Sequence, residues 1–352
     1  MWTGLKSLLL FFAMLGICLA PKLDLQAAEQ ARSKSTQSAS ANRQASTKTT
    51  KTKKATPPRR ATPAKKQRKA APVKRAMSSD QPAQDPSKLA VQSGSALVVE
   101  QGGGEALFQK NADNVMPIAS ITKLMTAMVV LDSMPDLRAE LTISDSDIDY
   151  LRGSRSRLPV GTSLTRETAL LLALMSSENR AANALARHYP GGIPAFVANM
   201  NLKAESLGLT KTRFDDPTGL SSGNVSTAHD LARMVAAAHR YPLIREWTTT
   251  PEATVEVNHH ELEFRNTNPL VKSPAWEVGL SKTGYIHEAG KCLVMQARVA
   301  EKPVLIVLLD SAGKQTRVGD ANRIKRWMEN LHAARKEPTH AALPARSSQL
   351  PG

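Results

Sequence analysis

Ser120 and Lys123 lie three residues apart in an apolar stretch, residues 117–128, that begins with proline. The proline and the apolar run predict the entry of a buried helix, on which residues three apart share a face. Burial lowers the pKa of a lysine, and a neutral amine can take the proton of a serine nucleophile without histidine. The alternative is a core helix whose Lys123 extends its charge to solvent, and the spacing alone leaves both open.

Two further polar clusters interrupt apolar surroundings. Ser177-Glu178-Asn179 follows a helical pattern that is apolar almost all round, and Lys282-Thr283-Gly284 lies inside a predicted strand. Each cluster alone is a weak signal. Together they supply hydroxyls, an amide and two lysines, which suit acyl transfer by a serine nucleophile.

Other chemistry is disfavoured. His259-His260-Glu261 and His287-Glu288 lack the spacing of metal ligands, and turn or surface positions explain them better. No Gly-x-Ser-x-Gly elbow accompanies the eight histidines, which argues against a Ser-His-Asp hydrolase. Cys292 is expected to pack in a strand, since no activating base is evident. We therefore predict neither a metal nor a cofactor.

The elements around these clusters predict an α+β fold, a single antiparallel sheet with flanking helices and a helical insertion. A glycine turn at 102–104 joins the first two strands, and the C-terminal strands are joined by short turns. The predicted strands are 96–100, 105–109, 276–285, 292–299 and 304–309. The predicted helices are 117–131, 165–175, 180–188, 195–207, 227–241 and 317–332.

The N-terminus has the features of an export signal. Lys6 precedes the apolar run 7–20, and small residues follow, so residues 1–28 are predicted to be a cleaved signal peptide. An uncleaved anchor remains an alternative. Cys18 follows Ile17 and does not fit a lipoprotein site, so Cys292 is alone in the mature chain and no intramolecular disulfide forms.

The net charge of +16 comes from one segment. Residues 31–79 contain 15 Lys or Arg and no acidic residue, whereas the remainder has 32 basic and 31 acidic residues. Residues 29–87 are predicted to be a disordered basic linker, and the polar residues 336–352 a disordered tail. The linker has no aromatic residue for base stacking and follows an export signal, which argues against nucleic acid. A tether to anionic envelope surfaces is favoured, with a solvated spacer as the alternative.

The three clusters, in this order, match the S-x-x-K, S-x-N and K-T-G motifs of penicillin-binding proteins. Over residues 90–332 the chain resembles the low-molecular-mass penicillin-binding proteins of the D-alanyl-D-alanine peptidase family. The resemblance includes residues 118–131 (IASITKLMTAMVVL), 216–220 (DPTGL) and 281–285 (SKTGY). It is greatest to the endopeptidase subgroup, through LMSSENRAA, HYPGG, FRNTN and GKCLVM at 174–182, 188–192, 264–268 and 290–295.

The resemblance implies a β-lactamase/transpeptidase-like fold for a peptidase domain over 88–335, and it assigns the catalytic roles. Ser120 would attack the substrate carbonyl, and Lys123 would accept its proton. Ser177 would relay a proton to the leaving amine, and Asn179 would hold Lys123 and the substrate amide. Glu178, in the middle of its motif, is expected to point to the surface.

The third motif is expected to bind substrate. Lys282 would supply positive potential, and Thr283 a hydroxyl for a substrate carboxylate. Gly284 would let the substrate backbone approach the strand edge. The resemblance adds the backbone N–H groups of Ser120 and Tyr285 as an oxyanion hole.

The resemblance, together with the export signal, implies a periplasmic serine DD-endopeptidase, soluble or loosely membrane-associated. It would hydrolyse D-alanyl-meso-diaminopimelate cross-links of peptidoglycan and be acylated by β-lactams at Ser120. The chemistry alone does not separate this activity from a DD-carboxypeptidase. A β-lactamase is disfavoured, because no E-x-x-L-N segment lies between Asn179 and Lys282, and Asp215 and Asp216 are expected to be structural. A non-catalytic wall-binding protein is the remaining alternative.

Overall fold

The computed structural model of the chain describes residues 89–103 and 106–336. The predicted signal peptide (1–28) and basic linker (29–87) lie outside the described residues. So does the predicted tail (336–352) apart from Lys336, which is the last residue of the final helix. In the described residues no helix is both long enough and apolar enough to cross a bilayer.

The predicted antiparallel sheet is present and has five strands. Its spatial order is β2-β1-β11-β10-β9, and every neighbouring pair is antiparallel. These strands are β1 (Ser95–Glu100), β2 (Ala106–Lys110), β9 (Glu277–Ile286), β10 (Gly290–Val299) and β11 (Lys302–Ser311). The edge strand β9 carries the third motif, so one side of that motif is open to a neighbouring element or a ligand.

In the described part of the chain, six short strands form three two-stranded ribbons outside the main sheet, and they were not predicted. In one of them, residues 258 and 259 form a turn with positive φ, and His260 is the first residue of a strand rather than part of a turn. The ribbons pair β3 (Met116–Pro117) with β6 (Val225–Ser226), β4 (Glu140–Thr142) with β5 (Ser163–Thr165), and β7 (Glu252–Val257) with β8 (His260–Arg265).

Within residues 89–103 and 106–336, seven α-helices surround the sheet and fill the insertion. They are α1 (Lys123–Asp132), α2 (Arg166–Met175), α3 (Asn179–Arg187), α4 (Gly192–Ser206), α5 (Ala228–Ala238), α6 (Pro242–Thr249) and α7 (Lys314–Lys336). Thr165 and Thr227 cap α2 and α5 by accepting a backbone N–H three residues on. Helix α6 was missed, because the Pro242 expected to end one helix begins the next.

The central strands are apolar on both faces because both faces are covered. On one face Leu293 and Ile306 pack with Ile324 of α7. On the other face Val294 and Val307 belong to the larger core that holds the helices of the insertion. This packing fixes β9 against the insertion, and the motif residues meet along that junction.

Candidate active site

Ser120 lies in a single 3-10 turn, Ala119–Thr122, directly before α1, and not within the predicted α-helix itself. Ala119 is fully buried and has φ +49, a left-handed conformation that is costly for alanine. Gly219 packs so closely beneath this turn that a Cβ there would lie 2.0 Å from the Ala119 carbonyl oxygen. The surrounding structure therefore holds the nucleophile in a strained turn.

Gly284 presses against the same turn from the other side. A Cβ at this position would lie 2.8 Å from the Ile118 carbonyl oxygen and 3.2 Å from the Ser120 nitrogen. The nucleophile turn is thus a second reason for glycine at this position, and the approach of a substrate backbone to Gly284 stays a prediction. The space at the Cβ position is taken by the nucleophile turn, and glycine is needed for β9 to approach it.

Lys123 is completely buried, which rules out the alternative in which it reaches solvent. Its Nζ donates to Asn179 Oδ1 at 2.7 Å and to the Thr218 carbonyl oxygen at 2.7 Å, and it lies 3.0 Å from Ser120 Oγ. The first two partners accept only. A neutral amine has two N–H groups for them, and its lone pair then faces the Ser120 hydroxyl.

Burial lowers the pKa of Lys123 to about 7, although the carboxylates of Asp216, Glu178 and Asp149 oppose the shift. A pKa lowered this far lets a substantial part of the amine be neutral near pH 7, which is the state that a general base for Ser120 requires. This agrees with the expectation that burial lowers the pKa of Lys123 and so makes its neutral amine available as the base.

Ser177 and Lys282 are 105 residues apart in sequence and in direct contact. Lys282 Nζ donates to Ser177 Oγ at 2.8 Å and to the Thr283 carbonyl oxygen at 3.0 Å. Ser177 has φ +64, so a second strained residue lies at the site. Burial, with Lys123 and Arg317 nearby, holds the pKa of Lys282 well below its usual value.

Asn179 begins α3 and links Lys123 to a loop. Its Oδ1 accepts from Lys123, and its Nδ2 donates to Ser154 Oγ at 2.9 Å. The expected contact with Lys123 is present. The contact with Ser154 was not predicted, because a serine in a loop of otherwise polar residues carries no pattern.

The remaining predicted residues, Thr283 and Tyr285, line the groove in front of Ser120. Thr283 Oγ1 donates to Thr267 Oγ1 at 2.7 Å. The side chain of Tyr285 is exposed, and Lys291 Nζ lies 3.0 Å from the centre of its ring. All eight predicted site residues therefore meet at one groove or directly beneath it.

Sequence reasoning missed Arg317, which lies in α7, the helix that packs on β10 and β11, and lines the same groove. Its guanidinium is buried and donates to the carbonyl oxygens of Gly284 at 3.3 Å and Cys292 at 3.0 Å. No carboxylate among the described residues pairs with it. A buried cation without an acidic partner gives the groove a strong preference for an anionic ligand group.

Glu178 is buried, and the expectation that it points to the surface is wrong. Its carboxylate accepts from Ser156 Oγ at 2.7 Å and from the Arg157 backbone N–H at 3.4 Å. The turn at Ser177 directs Glu178 toward the neighbouring loop rather than toward solvent. Its negative charge raises the pKa of Lys123, against the larger effect of burial.

Cys292 packs in a strand and Asp216 has a structural role, as the sequence predicts. Cys292 is completely buried in β10, and burial raises the pKa of its thiol to about 11, so it is not a nucleophile. The Asp216 carboxylate accepts the backbone N–H groups of Gly219 and Ser221 and thereby shapes the loop under the nucleophile turn. No group of His, Cys, Asp and Glu side chains within the described residues could hold a metal ion.

Comparison with known protein families and sequences gives consistent matches. Residues 80–313 match the family model described as D-alanyl-D-alanine carboxypeptidase. A D-alanyl-D-alanine endopeptidase of Pseudomonas aeruginosa is 54% identical over 239 residues, covering 67% of this chain and 77% of that protein. A D-alanyl-D-alanine endopeptidase of Escherichia coli is 48% identical over 241 residues, covering 68% and 78%.

Solved structures share the fold. The crystal structure of a DD-transpeptidase from Streptomyces superposes with a TM-score of 0.63 at 30% identity, covering 68% of this chain and 97% of that one. A D-alanyl-D-alanine carboxypeptidase from Mycobacterium tuberculosis gives a TM-score of 0.62 at 27% identity, covering 71% and 94%. The expected transpeptidase-like α+β fold is thus confirmed.

Proposed function

The chain belongs to the D-alanyl-D-alanine carboxypeptidase family of serine peptidases, and from that premise we propose that it is a DD-endopeptidase of peptidoglycan. Its substrate would be the D-alanyl-meso-diaminopimelate cross-link, and its intermediate an acyl-enzyme on Ser120. The observation that carries the proposal is the completely buried Lys123 amine, held by Asn179 and Thr218 with Ser120 Oγ 3.0 Å away.

In the acylation step Ser120 Oγ attacks the carbonyl carbon of the D-alanyl residue while its proton passes to the neutral Lys123. Negative charge develops on the carbonyl oxygen. The backbone N–H groups of Ser120 and Tyr285 are the donors proposed for it, and each such donor typically contributes about 3 kcal/mol. The strained turn at Ala119 keeps the nitrogen and Oγ of Ser120 oriented before substrate arrives.

Collapse of this intermediate needs a proton on the leaving amine. Ser177 Oγ is proposed to deliver it, with the proton replaced from Lys123. Lys282, 2.8 Å from Ser177 Oγ, keeps that hydroxyl in place. Water then attacks the ester carbonyl and gives a proton to Lys123. Lys123 passes this proton to Ser120 Oγ as the ester bond breaks, so the peptide leaves with a new C-terminal carboxyl group and Ser120 and Lys123 return to their starting states.

Recognition of the leaving group would rest on a carboxylate beside the cleaved bond. The buried guanidinium of Arg317 supplies positive potential, and the Thr283 hydroxyl would turn from Thr267 to the substrate carboxylate. A terminal D-alanine and the D-centre of diaminopimelate both carry such a carboxylate. The choice of endopeptidase therefore rests on relatives with that name, and carboxypeptidase activity is the second candidate.

Digestion of purified cross-linked muropeptide dimers tests the proposal. We expect monomers with the wild-type protein and none with Ser120→Ala. Release of free D-alanine from pentapeptide monomers, with dimers left intact, would replace endopeptidase by carboxypeptidase. A failure to process either substrate would contradict both activities and leave a wall-binding role.

β-Lactams are proposed to acylate Ser120 and to be released slowly. The reason is that no E-x-x-L-N segment, whose carboxylate would activate water for deacylation, lies between Asn179 and Lys282. Rapid turnover of penicillin would instead indicate a β-lactamase.

The protein is proposed to act in the periplasm, with residues 31–79 as a tether to anionic envelope surfaces. Deleting 31–79 should leave the hydrolysis rate of soluble muropeptides unchanged and weaken binding to anionic vesicles.

A further inference from the structure

A short loop beside the active site is ordered by a single carboxylate. Asp149 accepts the backbone N–H groups of Leu151 at 3.0 Å, Arg152 at 2.9 Å and Ser154 at 2.9 Å. Burial raises the pKa of Asp149, but hydrogen bonds from the Ser154 hydroxyl and from these backbone groups hold it below the usual value. The loop therefore presents Ser154 in one defined position.

Ser154 contacts the catalytic machinery through Asn179. Its Oγ accepts the Asn179 Nδ2–H group at 2.9 Å, while the opposite end of the same amide, Oδ1, accepts from Lys123 at 2.7 Å. An amide has one accepting and one donating end. If it turned over, its NH2 group would face the Lys123 amine, and the lone pair of Lys123 would be taken by Asn179 instead of Ser120.

The Ser154 backbone N–H donates to the Asp149 carboxylate at 2.9 Å, and Ser154 Oγ accepts from Asn179 Nδ2 at 2.9 Å. A hydrogen bond from the Ser154 hydroxyl is also among the causes that lower the pKa of Asp149, so the hydroxyl proton is directed away from Asn179. Asn179 then directs Oδ1 at Lys123. With the Thr218 carbonyl oxygen at 2.7 Å as the second acceptor, the lone pair of a neutral Lys123 is left facing Ser120 Oγ.

We propose that Ser154 is a positioning residue of the active site, which locks the amide of Asn179 and through it directs the Lys123 amine at Ser120. Asp149 fixes Ser154 in turn by shaping the loop. Neither residue touches the reacting atoms. The inference rests on the proposed function, since it assigns a role in the acylation of Ser120.

The first test is the second-order rate of Ser120 acylation by a fluorescent penicillin, measured from pH 5 to 9. Ser154→Ala is expected to lower the maximal rate about 10- to 100-fold, the scale of a small misplacement of catalytic groups. Its acid limb should also move to lower pH, because a turned amide no longer accepts from the protonated Lys123. The charges that face Lys123, those of Asp216, Glu178, Asp149 and Lys282, are unchanged.

Two control variants separate positioning from general damage. Ser163→Ala removes another hydroxyl that hydrogen-bonds to a side chain, Thr142, away from the site, and should leave the rate unchanged. Ser154→Thr retains the hydroxyl and should keep most of the rate. Thermal melting of each variant verifies folding.

A double-mutant cycle gives the decisive result. Since Ser154 acts through Asn179, Ser154→Ala should cause little further loss in an Asn179→Ala background. Full additivity, a wild-type rate in Ser154→Ala, or a loss that is uniform at every pH would each overturn the inference. A wild-type protein that is not acylated at all would instead refute the proposed function, so the two failures are distinguishable.

Discussion

Replacing Gly284 by alanine should damage the site without touching any catalytic side chain. The added Cβ would lie 2.8 Å from the Ile118 carbonyl oxygen, 3.1 Å from Ala119 Cβ and 3.2 Å from the Ser120 nitrogen. Two of these are backbone atoms of the nucleophile turn, and backbone yields less readily than the end of a flexible side chain. Either β9 or the turn has to move.

The size of the effect follows from these distances. Relieving the 2.8 Å contact to an ordinary 3.4 Å requires a displacement of about 0.6 Å. A misplacement of about 1 Å costs on the order of 100-fold in rate, so roughly 10- to 100-fold slower acylation is expected. Overpacking of this kind also costs about 1–3 kcal/mol of stability.

The assay combines the acylation rate with fluorescent penicillin and the Tm of the free protein. Gly313→Ala is the matched control, because a Cβ there meets only Thr316 Oγ1 at 3.5 Å. We expect both a slower rate and a lower Tm for Gly284→Ala, and neither for Gly313→Ala. A lower Tm in the absence of ligand is the signature of a clash within the protein.

The contrary result is equally clear. If Gly284→Ala has the Tm of the wild-type protein and loses only substrate affinity, the glycine makes room for substrate. Wild-type values for both the rate and the Tm would refute the packing argument entirely.

Three further predictions follow from the same geometry. Acylation should rise with pH through about 7, because the neutral form of Lys123 is the base and its pKa is lowered to about that value; a flat profile from pH 5 to 9 would count against it. Arg317→Gln should raise KM for substrates with a carboxylate beside the cleaved bond by roughly tenfold or more, and an unchanged KM in steady-state assays would remove Arg317 from recognition. Cys292→Ala should retain acylation, and thiol alkylation of the native protein should not inhibit it, since the thiol is buried with a pKa of about 11.

The meeting of the three motifs could be predicted from the sequence because each departs from its surroundings. A lysine in an apolar helix entry has to find polar partners, and Lys123 finds Ser120 and Asn179. That the motifs of Ser177 and Lys282 meet followed only from the family resemblance, and the direct contact of these two side chains across 105 residues was not predicted. No local pattern specifies a contact of that range.

The missed residues share a physical reason. Ser154 is one polar residue in a polar loop, and Arg317 lies on a helix with many charged residues, so neither stands out. Their roles depend on which element packs beside them. The burial of Glu178 and the direction of a Cβ at Gly284 are likewise set by tertiary packing, which sequence periodicity does not encode.

The strand prediction succeeded where long apolar runs are bounded by turns, as in β10 and β11, and failed for short pairs. In β7 and β8 most of the exposed positions are charged, and the turn at residues 258 and 259 contains no glycine. Without a glycine or a proline the usual signal of a hairpin is missing. The ribbon could therefore be recognised only from the structure.

The most direct test of the central claim is mass spectrometry of the protein after brief exposure to penicillin. The account predicts one covalent adduct, located on the peptide that contains Ser120, that is lost in Ser120→Ala and forms far more slowly in Lys123→Ala. An adduct on another residue, or undiminished adduct formation in Lys123→Ala, would contradict the assignment of Ser120 as nucleophile and Lys123 as its base.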